Sequence, residues 1–423
     1  MSHLLWYPGH ELWLRDIVRA FNCDLYDSAG RRYVDLESGV WCTAIGHAHP
    51  AVLRVLAEQS QRIAHTGYNY SCAAVEEAAR EILALAGLGE GRCVFLCSGS
   101  EAVEYGVRVA RMATSRPRFL TMTDSYFGAY GSAAARRSEE WFSFDWSTAC
   151  ATRCARERDP GAADAEKAGP TEQRKADPSE AATDAGHCGP DCPHWNAIPW
   201  GEIGGFLFEP GSSSGLVRFP PRALIRAIAA KVRQDGGWIL VNEVTTGIGR
   251  TGMWFGHQHY GISPYVVAMG KGLGNGYPVA AAVFSPELIA ALEGREVKYS
   301  QSHQNDPLGA AVAREVVRVI GQERLVERGR EIGAMLMQGL EQIRRGRERI
   351  AQVRGRGLMI AVELCDDADA SFSTRVHRAL LQRGYLVARR PGLNVLRIDP
   401  PLTVDRADVE GFLRAFDQVL AEV

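Results

Sequence analysis

The feature that most constrains this chain is a set of short apolar runs, each leading into a turn and then a helical pattern. Nearly every position in these runs is β-branched, aromatic or otherwise apolar, rather than every second one. Strands of a parallel sheet need such uninterrupted runs because helices cover both of its faces. The sequence therefore predicts a doubly wound, mainly parallel α/β domain. The predicted strands are 93–96, 119–122, 205–208, 238–241 and 266–269.

Helical patterns lie between and after these runs. From Pro221 to Asp235, apolar side chains recur at helical spacing behind an initial proline. After Pro307, a long helical pattern is followed by strand-like stretches at 358–362 and 394–398. We therefore predict three parts of the chain. They are a large domain over 50–307, a smaller α+β domain over 308–423, and an N-terminal segment, 1–49, that packs with the small domain.

Charge and composition exclude several classes of protein. The 423 residues include 48 Lys and Arg against 50 Asp and Glu, which gives a formal net charge of −2. Such a chain lacks the basic surface that binds nucleic acid, and no apolar run approaches the roughly 18 residues needed to cross a bilayer. Because no export signal is recognisable, we predict a cytoplasmic protein whose ten cysteines are reduced or bind metal.

One segment does not fit the α/β pattern. Residues 155–186 contain no Val, Ile, Leu, Met or aromatic residue, which predicts a flexible loop within an insertion over about 137–200. Two cysteine pairs flank the loop, each with three residues between its members, a spacing that zinc ligands can adopt. Four unrelated thiols would show the same pattern, so both interpretations stay open. The candidate zinc ligands are Cys150, Cys154, Cys188 and Cys192.

Two glycine-containing stretches indicate where ligand chemistry can occur. Ser98-Gly99-Ser100 follows a predicted strand and opens a helix, so its free N–H groups can bind an anion such as phosphate. A serine N-cap with an acidic residue in the first turn is also an ordinary structural cap. Lys271 follows another strand between two glycines, where desolvation would lower its pKa and favour Schiff-base formation. Taken alone, a lysine of this kind would favour a surface position in a glycine loop.

Ordered motifs extend along most of the chain. They lie at 35–41, 46–50, 98–102, 125–128, 209–210, 242–252, 271, 306–308 and 396–402. As a set they resemble the class III aminotransferases, the family of ornithine and ω-amino-acid aminotransferases and dialkylglycine decarboxylase. The resemblance implies fold type I, a pyridoxal 5′-phosphate (PLP) cofactor and a homodimer. It also implies an amino donor and a keto acid acceptor as substrates.

The resemblance implies roles for individual residues as well. Lys271 would form the Schiff base with the cofactor and move the proton of the substrate Cα. Tyr126 would stack on the pyridine ring, and Arg397 would bind the substrate carboxylate, a role that suits a guanidinium. Trp41 would line the substrate pocket, although a core aromatic residue explains it almost as well. The remaining implied cofactor-binding residues are Gly99, Ser100, Glu209, Asn242, Val244, Thr245 and, from the neighbouring subunit, Ser302.

Departures from the family pattern bear on the reaction and the substrate. Asn242 occupies the position of an aspartate that keeps the pyridine nitrogen protonated, so its amide predicts a weaker electron sink. Ser214 stands where ornithine-type enzymes carry a glutamate that neutralises the carboxylate-binding arginine. We therefore expect Arg397 to stay free for an anionic group. Arg389 and Arg390 are close enough in sequence to be further anion partners.

These observations predict a dimeric PLP-dependent aminotransferase that acts on a small amine or amino acid bearing an anionic group. The first alternative is a PLP-dependent lyase or decarboxylase on the same scaffold, which the asparagine at position 242 favours. The second alternative is a catalytically silent protein that binds PLP or zinc.

Overall fold

The structure is a computed structural model that describes residues 3–6, 11–67, 69–146, 193–365 and 371–423. The predicted loop 155–186 and the four candidate zinc ligands, Cys150, Cys154, Cys188 and Cys192, lie outside the described residues. Among the helices that are described, none is long and apolar enough to cross a membrane.

The described part of the chain contains fifteen strands, eleven right-handed α-helices and three short 3-10 helices. The strands are β1 (Ile17–Phe21), β2 (Asp24–Asp27), β3 (Arg32–Asp35), β4 (Arg92–Leu96), β5 (Arg118–Met122), β6 (Trp141–Phe144), β7 (Ile203–Phe208), β8 (Trp238–Asn242), β9 (Val266–Met269), β10 (Ala280–Phe284), β11 (Ile350–Arg356), β12 (Met359–Leu364), β13 (Tyr385–Leu386), β14 (Ala388–Arg389) and β15 (Val395–Ile398). The helices are α1 (Pro50–Arg62), α2 (Ala73–Leu85), α3 (Gly99–Met112), α4 (Ser132–Ala135), α5 (Pro193–Asn196), α6 (Arg222–Gln234), α7 (Pro286–Ala290), α8 (Pro307–Gln322), α9 (Leu325–Arg345), α10 (Phe372–Gln382) and α11 (Arg406–Glu422).

A seven-stranded sheet forms the centre of the structure, in the order β4-β10-β9-β8-β7-β5-β6. Neighbouring strands are parallel except where β10 pairs antiparallel with β4 and β9. All five predicted strands lie in this sheet and run in one direction, which confirms the predicted mainly parallel α/β fold. The sequence prediction lacked β10, because its three consecutive alanines from Ala280 have little preference for a strand.

Alternate residues of the central strands pack on opposite faces of the sheet. In β7, Phe206 and Phe208 belong to the same core cluster as α6, whereas Leu207 belongs to the cluster that contains residues of α3. Because successive side chains of a strand point to opposite faces, two helical layers require an apolar residue at every position. Helix α6 confirms the helix predicted between Pro221 and Asp235 and is one residue shorter at each end.

The edge strand β6 lies within the stretch 137–200 that is predicted as an insertion. It pairs in parallel with β5 from Phe119 opposite Trp141 to Met122 opposite Phe144, and Trp141 is buried. Trp195 also belongs to a core cluster of the large sheet. The described ends of the stretch 137–200 therefore contribute to the sheet and its core.

Two four-stranded sheets bring the two ends of the chain together. One has the order β11-β12-β15-β14, and the other has the order β1-β2-β3-β13. In the latter, Val34 of β3 pairs in parallel with Tyr385 of β13. Beyond β3, Leu36 O accepts a hydrogen bond from Asp399 N at 2.7 Å. These contacts place the segment that follows β3 against the end of β15.

Candidate active site

The candidate functional side chains cluster at the carboxyl ends of the parallel strands. Glu209 directly follows β7, Asn242 ends β8, and Lys271 follows β9 after one glycine. Helix α3 begins at Gly99, shortly after β4. In open α/β sheets this edge is where ligands bind. The sheet thus brings four segments that are distant in sequence to one edge.

Lys271 presents its amine in the middle of this edge. Its Nζ donates a hydrogen bond to Thr245 Oγ1 at 2.7 Å and lies 4.6 Å from the centroid of the Trp41 ring. Burial lowers the pKa of Lys271 to about 8, although the negative charge of Glu209 acts to raise it. Much of this amine is therefore neutral near pH 8, and the neutral form is the one that attacks a carbonyl or accepts a proton.

Glu209 is a buried carboxylate that fixes the segment carrying Tyr126. Its Oε2 accepts a hydrogen bond from Tyr126 N at 2.9 Å, and its Oε1 accepts one from Ser213 Oγ at 2.5 Å. Burial raises the pKa of Glu209 to about 7. Tyr126 itself is 39% exposed, so its ring offers a face that a flat ligand can cover.

Two backbone groups hold the side-chain amide of Asn242 in one orientation. Its Nδ2 donates to Tyr126 O at 2.9 Å, and its Oδ1 accepts from Val244 N at 3.1 Å. Because a carbonyl only accepts and an N–H only donates, the flipped amide would lose both bonds. An aspartate here would face the Tyr126 carbonyl without a proton to donate, so the local backbone is suited to asparagine.

The first turn of α3 combines a structural cap with a close approach to the loop after β8. The Glu101 carboxylate accepts from Ser98 N at 2.9 Å, and Ser98 Oγ accepts from Glu101 N at 3.3 Å, which completes a capping box. A Cβ added to Gly99 would lie 2.5 Å from Val244 Cγ1, so only glycine permits this approach. The N–H groups of Gly99 and Ser100 stand at a helix N-terminus, where an anion is stabilised.

Arg397 lies in a corner with an aromatic ring and two carboxylates. Its guanidinium carbon is 3.8 Å from the centroid of the Trp41 ring. Its Nη2 lies 3.8 Å from Glu37 Oε1, and its Nε lies 3.7 Å from Asp399 Oδ2. The expectation that Arg397 stays free was therefore wrong. Ornithine-type enzymes carry a glutamate at the position of Ser214. Here the carboxylates beside the arginine come from other segments, Glu37 and Asp399, which the fold brings to it.

A left-handed turn carries Trp41 into this corner. The four residues Ser38–Trp41 have φ between +52° and +65°, a conformation that costs roughly 1–2 kcal/mol for each residue other than glycine. Asp35 offsets part of this cost, because its carboxylate accepts from Glu37 N at 2.8 Å and from Gly39 N at 3.1 Å. Such strain is typical of functional sites, and here it positions Glu37 and Trp41 beside the arginine.

Sequence reasoning missed Glu243, which organises the loop after β8. This fully buried carboxylate accepts hydrogen bonds from Thr246 Oγ1 at 2.6 Å and from Gly256 N, His257 N and His257 Nδ1, each at 2.8 Å. Arg250 in the same loop donates to the carbonyl oxygens of Leu358 and Pro400. Both residues lie within the motif 242–252. The signal that could have identified them is a charged residue in a glycine-rich stretch.

Three further residues named from the sequence lie outside the cluster around Lys271. Ser302 occupies an exposed turn before α8, and within the described chain its side chain forms no hydrogen bond. Arg390 donates to Ser214 O, and Arg389 belongs to β14, opposite Leu396. The six cysteines that the structure describes are free thiols, while the candidate zinc ligands 150, 154, 188 and 192 are outside its range.

Comparison with known proteins assigns the family. The sequence pattern described as aminotransferase class-III matches residues 7–420. The chain is 31% identical to the acetylornithine aminotransferase of Mycobacterium tuberculosis (strain ATCC 25618 / H37Rv) over 398 residues, which cover 93% of this chain and 88% of that protein. It is 28% identical to the mitochondrial alanine–glyoxylate aminotransferase 2 of Pongo abelii over 447 residues, which cover 99% and 82%.

Solved structures agree with this assignment at the level of the fold. An amine transaminase from an uncultivated Pseudomonas species, crystallised in its PLP-bound form, superposes with a TM-score of 0.81 at 21% identity and covers 100% of this chain and 99% of its own. The acetylornithine aminotransferase of Elizabethkingia anophelis gives a TM-score of 0.78 at 21% identity, with 99% and 96% covered.

The chain therefore belongs to the class III aminotransferases, and it is a PLP-dependent enzyme with the fold-type I architecture. This assignment excludes the catalytically silent alternative. The residues at the sheet edge fit the cofactor that is typical of the family. They supply a desolvated amine for an aldehyde, helix N-terminal N–H groups for a phosphate, and the exposed face of Tyr126 for an aromatic ring.

Proposed function

We propose that this aminotransferase takes a small amine or amino acid with an anionic group as amino donor and a keto acid as acceptor. The observation that carries the proposal is the position of Trp41. Its ring lies 4.6 Å from Lys271 Nζ and 3.8 Å from the Arg397 guanidinium carbon. An anionic group bound by Arg397 thus lies one aromatic ring away from the reactive amine, a span that suits a short substrate.

In this proposal the cofactor supplies an electron-accepting ring, and the chain supplies binding and proton transfer. Lys271 Nζ is the base that takes the proton from the substrate Cα and returns it, held meanwhile by Thr245 Oγ1. Tyr126 would cover the cofactor ring, and Asn242 would be the neutral amide beside its nitrogen. The other residues that would hold the cofactor are Gly99 and Ser100 at the phosphate, with Glu209, Val244 and Thr245 around the ring.

We also propose a cytoplasmic homodimer in which Ser302 of one subunit reaches the cofactor phosphate of the other. The exposed position of Ser302 supports this role, and the free thiols at the described cysteines suit a reducing compartment. The proposal retains the division into 1–49, 50–307 and 308–423. The pairing of β13 with β3 supports the packing of the first part on the last. Zinc at Cys150, Cys154, Cys188 and Cys192 stays a prediction that metal analysis of the purified protein tests.

Covalent trapping tests the central residue. Borohydride reduction of the holoenzyme should leave the cofactor attached to Lys271 in a peptide map, whereas Lys271→Ala should carry no adduct and lose about 10³-fold to 10⁴-fold in activity. Because the neutral amine reacts, covalent reconstitution of the apoenzyme should accelerate as the pH rises through about 8. Lys298→Ala, at a lysine side chain that is 79% exposed, is the matched control. An adduct at any other lysine overturns the proposal.

A PLP-dependent lyase or decarboxylase is the second candidate, because Asn242 is neutral and both its amide groups are bound to backbone. A weak electron sink favours a reaction that depends less on a long-lived Cα carbanion, such as elimination of a good leaving group from Cβ. Incubation of the holoenzyme with amino acids, without a keto acid, separates the two candidates. One amino group transferred to the cofactor per active site supports transamination. Continuous release of ammonia or carbon dioxide supports the second candidate.

A further inference from the structure

We propose that Glu37 is a specificity-determining residue that lets one pocket accept substrates with and without a carboxylate. Its carboxylate pairs with Arg397 when the bound substrate ends in an uncharged group, and it withdraws when the substrate brings a carboxylate of its own. This inference rests on the proposed function, in which Arg397 is the anion-binding residue. It adds a second substrate class, namely amines without an acid group.

The two carboxylates beside Arg397 differ in how easily each can move away from the guanidinium. The side chain of Asp399 is 0% exposed, whereas that of Glu37 is 33% exposed. Burial raises the pKa of Asp399 to about 6, although the charges of Arg397 and of the buried Arg250 act to lower it; this value is still below that of Glu37. With no exposed surface, the side chain of Asp399 does not reach solvent. Asp399 is therefore a fixed part of the core. Glu37 is mostly buried beside the arginine but partly exposed, so rotation of its side chain can move the charge into solvent.

The charge balance of the corner requires one carboxylate to give way. Arg397 already has two carboxylates within 4 Å, so a third would be repelled unless one moves or takes up a proton. Glu37 can do either. Burial raises the pKa of Glu37 to about 7, although Arg397 acts to lower it. Protonation near neutral pH therefore costs little.

The contacts of Arg397 leave hydrogen-bonding capacity for a substrate. Its closest approach to Glu37 is 3.8 Å, which is an ion contact longer than a hydrogen bond. Its Nε is buried and has no hydrogen-bond partner among the described residues. A buried donor of this kind needs a partner. A substrate carboxylate can provide one in the two-pronged geometry that guanidinium groups favour.

The position of Glu37 is set by the backbone and not by Arg397. The Asp35 carboxylate holds the amides of Glu37 and Gly39, which fixes the start of the left-handed turn. The side chain of Glu37 can consequently swing while its Cα stays in place. Ser214 cannot serve the same purpose, because its short side chain carries no charge.

Matched pairs of amines test the proposal on the holoenzyme. L-Alanine and isopropylamine differ by a carboxylate in place of a methyl group, and so do β-alanine and propylamine. In Glu37→Gln, the ratio of kcat/KM for the acid to that for the plain amine should rise about tenfold, through changes in KM. Glu37→Asp keeps the charge and should restore most of the wild-type ratio. An unchanged ratio in Glu37→Gln overturns the proposal.

Binding of propionate provides a readout that does not depend on turnover. Calorimetric titration of the holoenzyme should give a dissociation constant about tenfold lower in Glu37→Gln than in wild type. Equal constants, or no propionate binding by either protein, overturn the role of Glu37. Failure of the proposed function is distinguishable, because borohydride would then leave no cofactor on Lys271. If Lys271 is labelled and the propionate constants are equal, only the inference about Glu37 fails.

Discussion

The loop after β8 and the corner around Arg397 border the same lysine, but they are built in opposite ways. In the loop, Glu243 accepts four hydrogen bonds from neighbouring residues at 2.6–2.8 Å. In the corner, Arg397 has ion contacts at 3.7 and 3.8 Å, and its buried Nε lacks a hydrogen-bond partner within the described residues. The loop is complete by itself, whereas the corner keeps capacity for another molecule.

The difference separates structural roles from substrate-binding roles. Buried polar groups in folded proteins are nearly always hydrogen-bonded, and exceptions call for an explanation. Glu243 follows this rule. Its hydrogen bonds hold the loop that presents Asn242 and Thr245. Arg397 Nε is an exception that the proposed binding of a substrate carboxylate would explain. Substitutions in the loop should therefore change stability, and those in the corner should change the choice of substrate.

The largest expected effect is on stability at Glu243. Glu243→Gln should lower the free energy of unfolding at pH 7 by about 3 kcal/mol, because the charged acceptor of four hydrogen bonds is lost. Denaturant titration of the apoenzyme measures this difference. Glu37→Gln is the matched control from the corner and should change the free energy of unfolding by less than about 1 kcal/mol. Equal losses in the two variants would contradict the comparison.

The same substitution has a defined pH dependence. Burial acts to raise the pKa of Glu243, but the hydrogen bonds and charge of His257 prevail and lower it below its ordinary value. A carboxyl group with a lowered pKa stabilises the fold above its unfolded pKa, and this contribution is lost as the pH falls through the folded value. Wild type and Glu243→Gln should thus converge in stability in acid. A gap that widens as the pH falls would contradict the role assigned to the Glu243 carboxylate.

The next effect is on substrate choice at Arg397. Arg397→Gln should lower kcat/KM about 100-fold for a carboxylated amino donor, because a charge-assisted pair in a buried site is lost. The matched amine without a carboxylate should change by less than about threefold. Steady-state kinetics with both donors measures the difference. An equal loss for the two donors would mean that the arginine acts on the fold of the pocket rather than on the anion.

Most of the central sheet was predictable from local sequence, because a strand between two helical layers must be apolar at every position. Strand β10 was not, since alanines from Ala280 onward carry no strand signal. The candidate site was likewise predictable only in part. Lys271 and Asn242 lie at strand ends within recognisable motifs, so their proximity follows from the parallel sheet.

The corner around Arg397 could not be predicted in this way. Glu37, which supplies one of the two carboxylates, lies 360 positions before Arg397 in the sequence. The two residues meet because β13 pairs with β3 and β15 pairs with β12. Neither pairing has a signal in local sequence, because each depends on how separate segments pack. The absence of a glutamate at Ser214 therefore gave the wrong expectation for the arginine. Charge in a site depends on what the fold assembles, and a single aligned position does not determine it.

The smallest expected effect concerns Asn242 and shows whether the loop is adapted to a neutral side chain. Asn242→Asp places a carboxylate opposite Tyr126 O, where Nδ2 now donates at 2.9 Å, and should lower the stability of the apoenzyme by about 1 kcal/mol. In the holoenzyme the loss should be smaller, because a carboxylate favours a protonated pyridine nitrogen and gains its charge as a partner. Thermal unfolding of both forms, with the pH titration of the cofactor absorbance, measures these two effects. If the loss relative to wild type is as large with cofactor as without it, the ring nitrogen does not face position 242, and asparagine is retained there for the backbone alone.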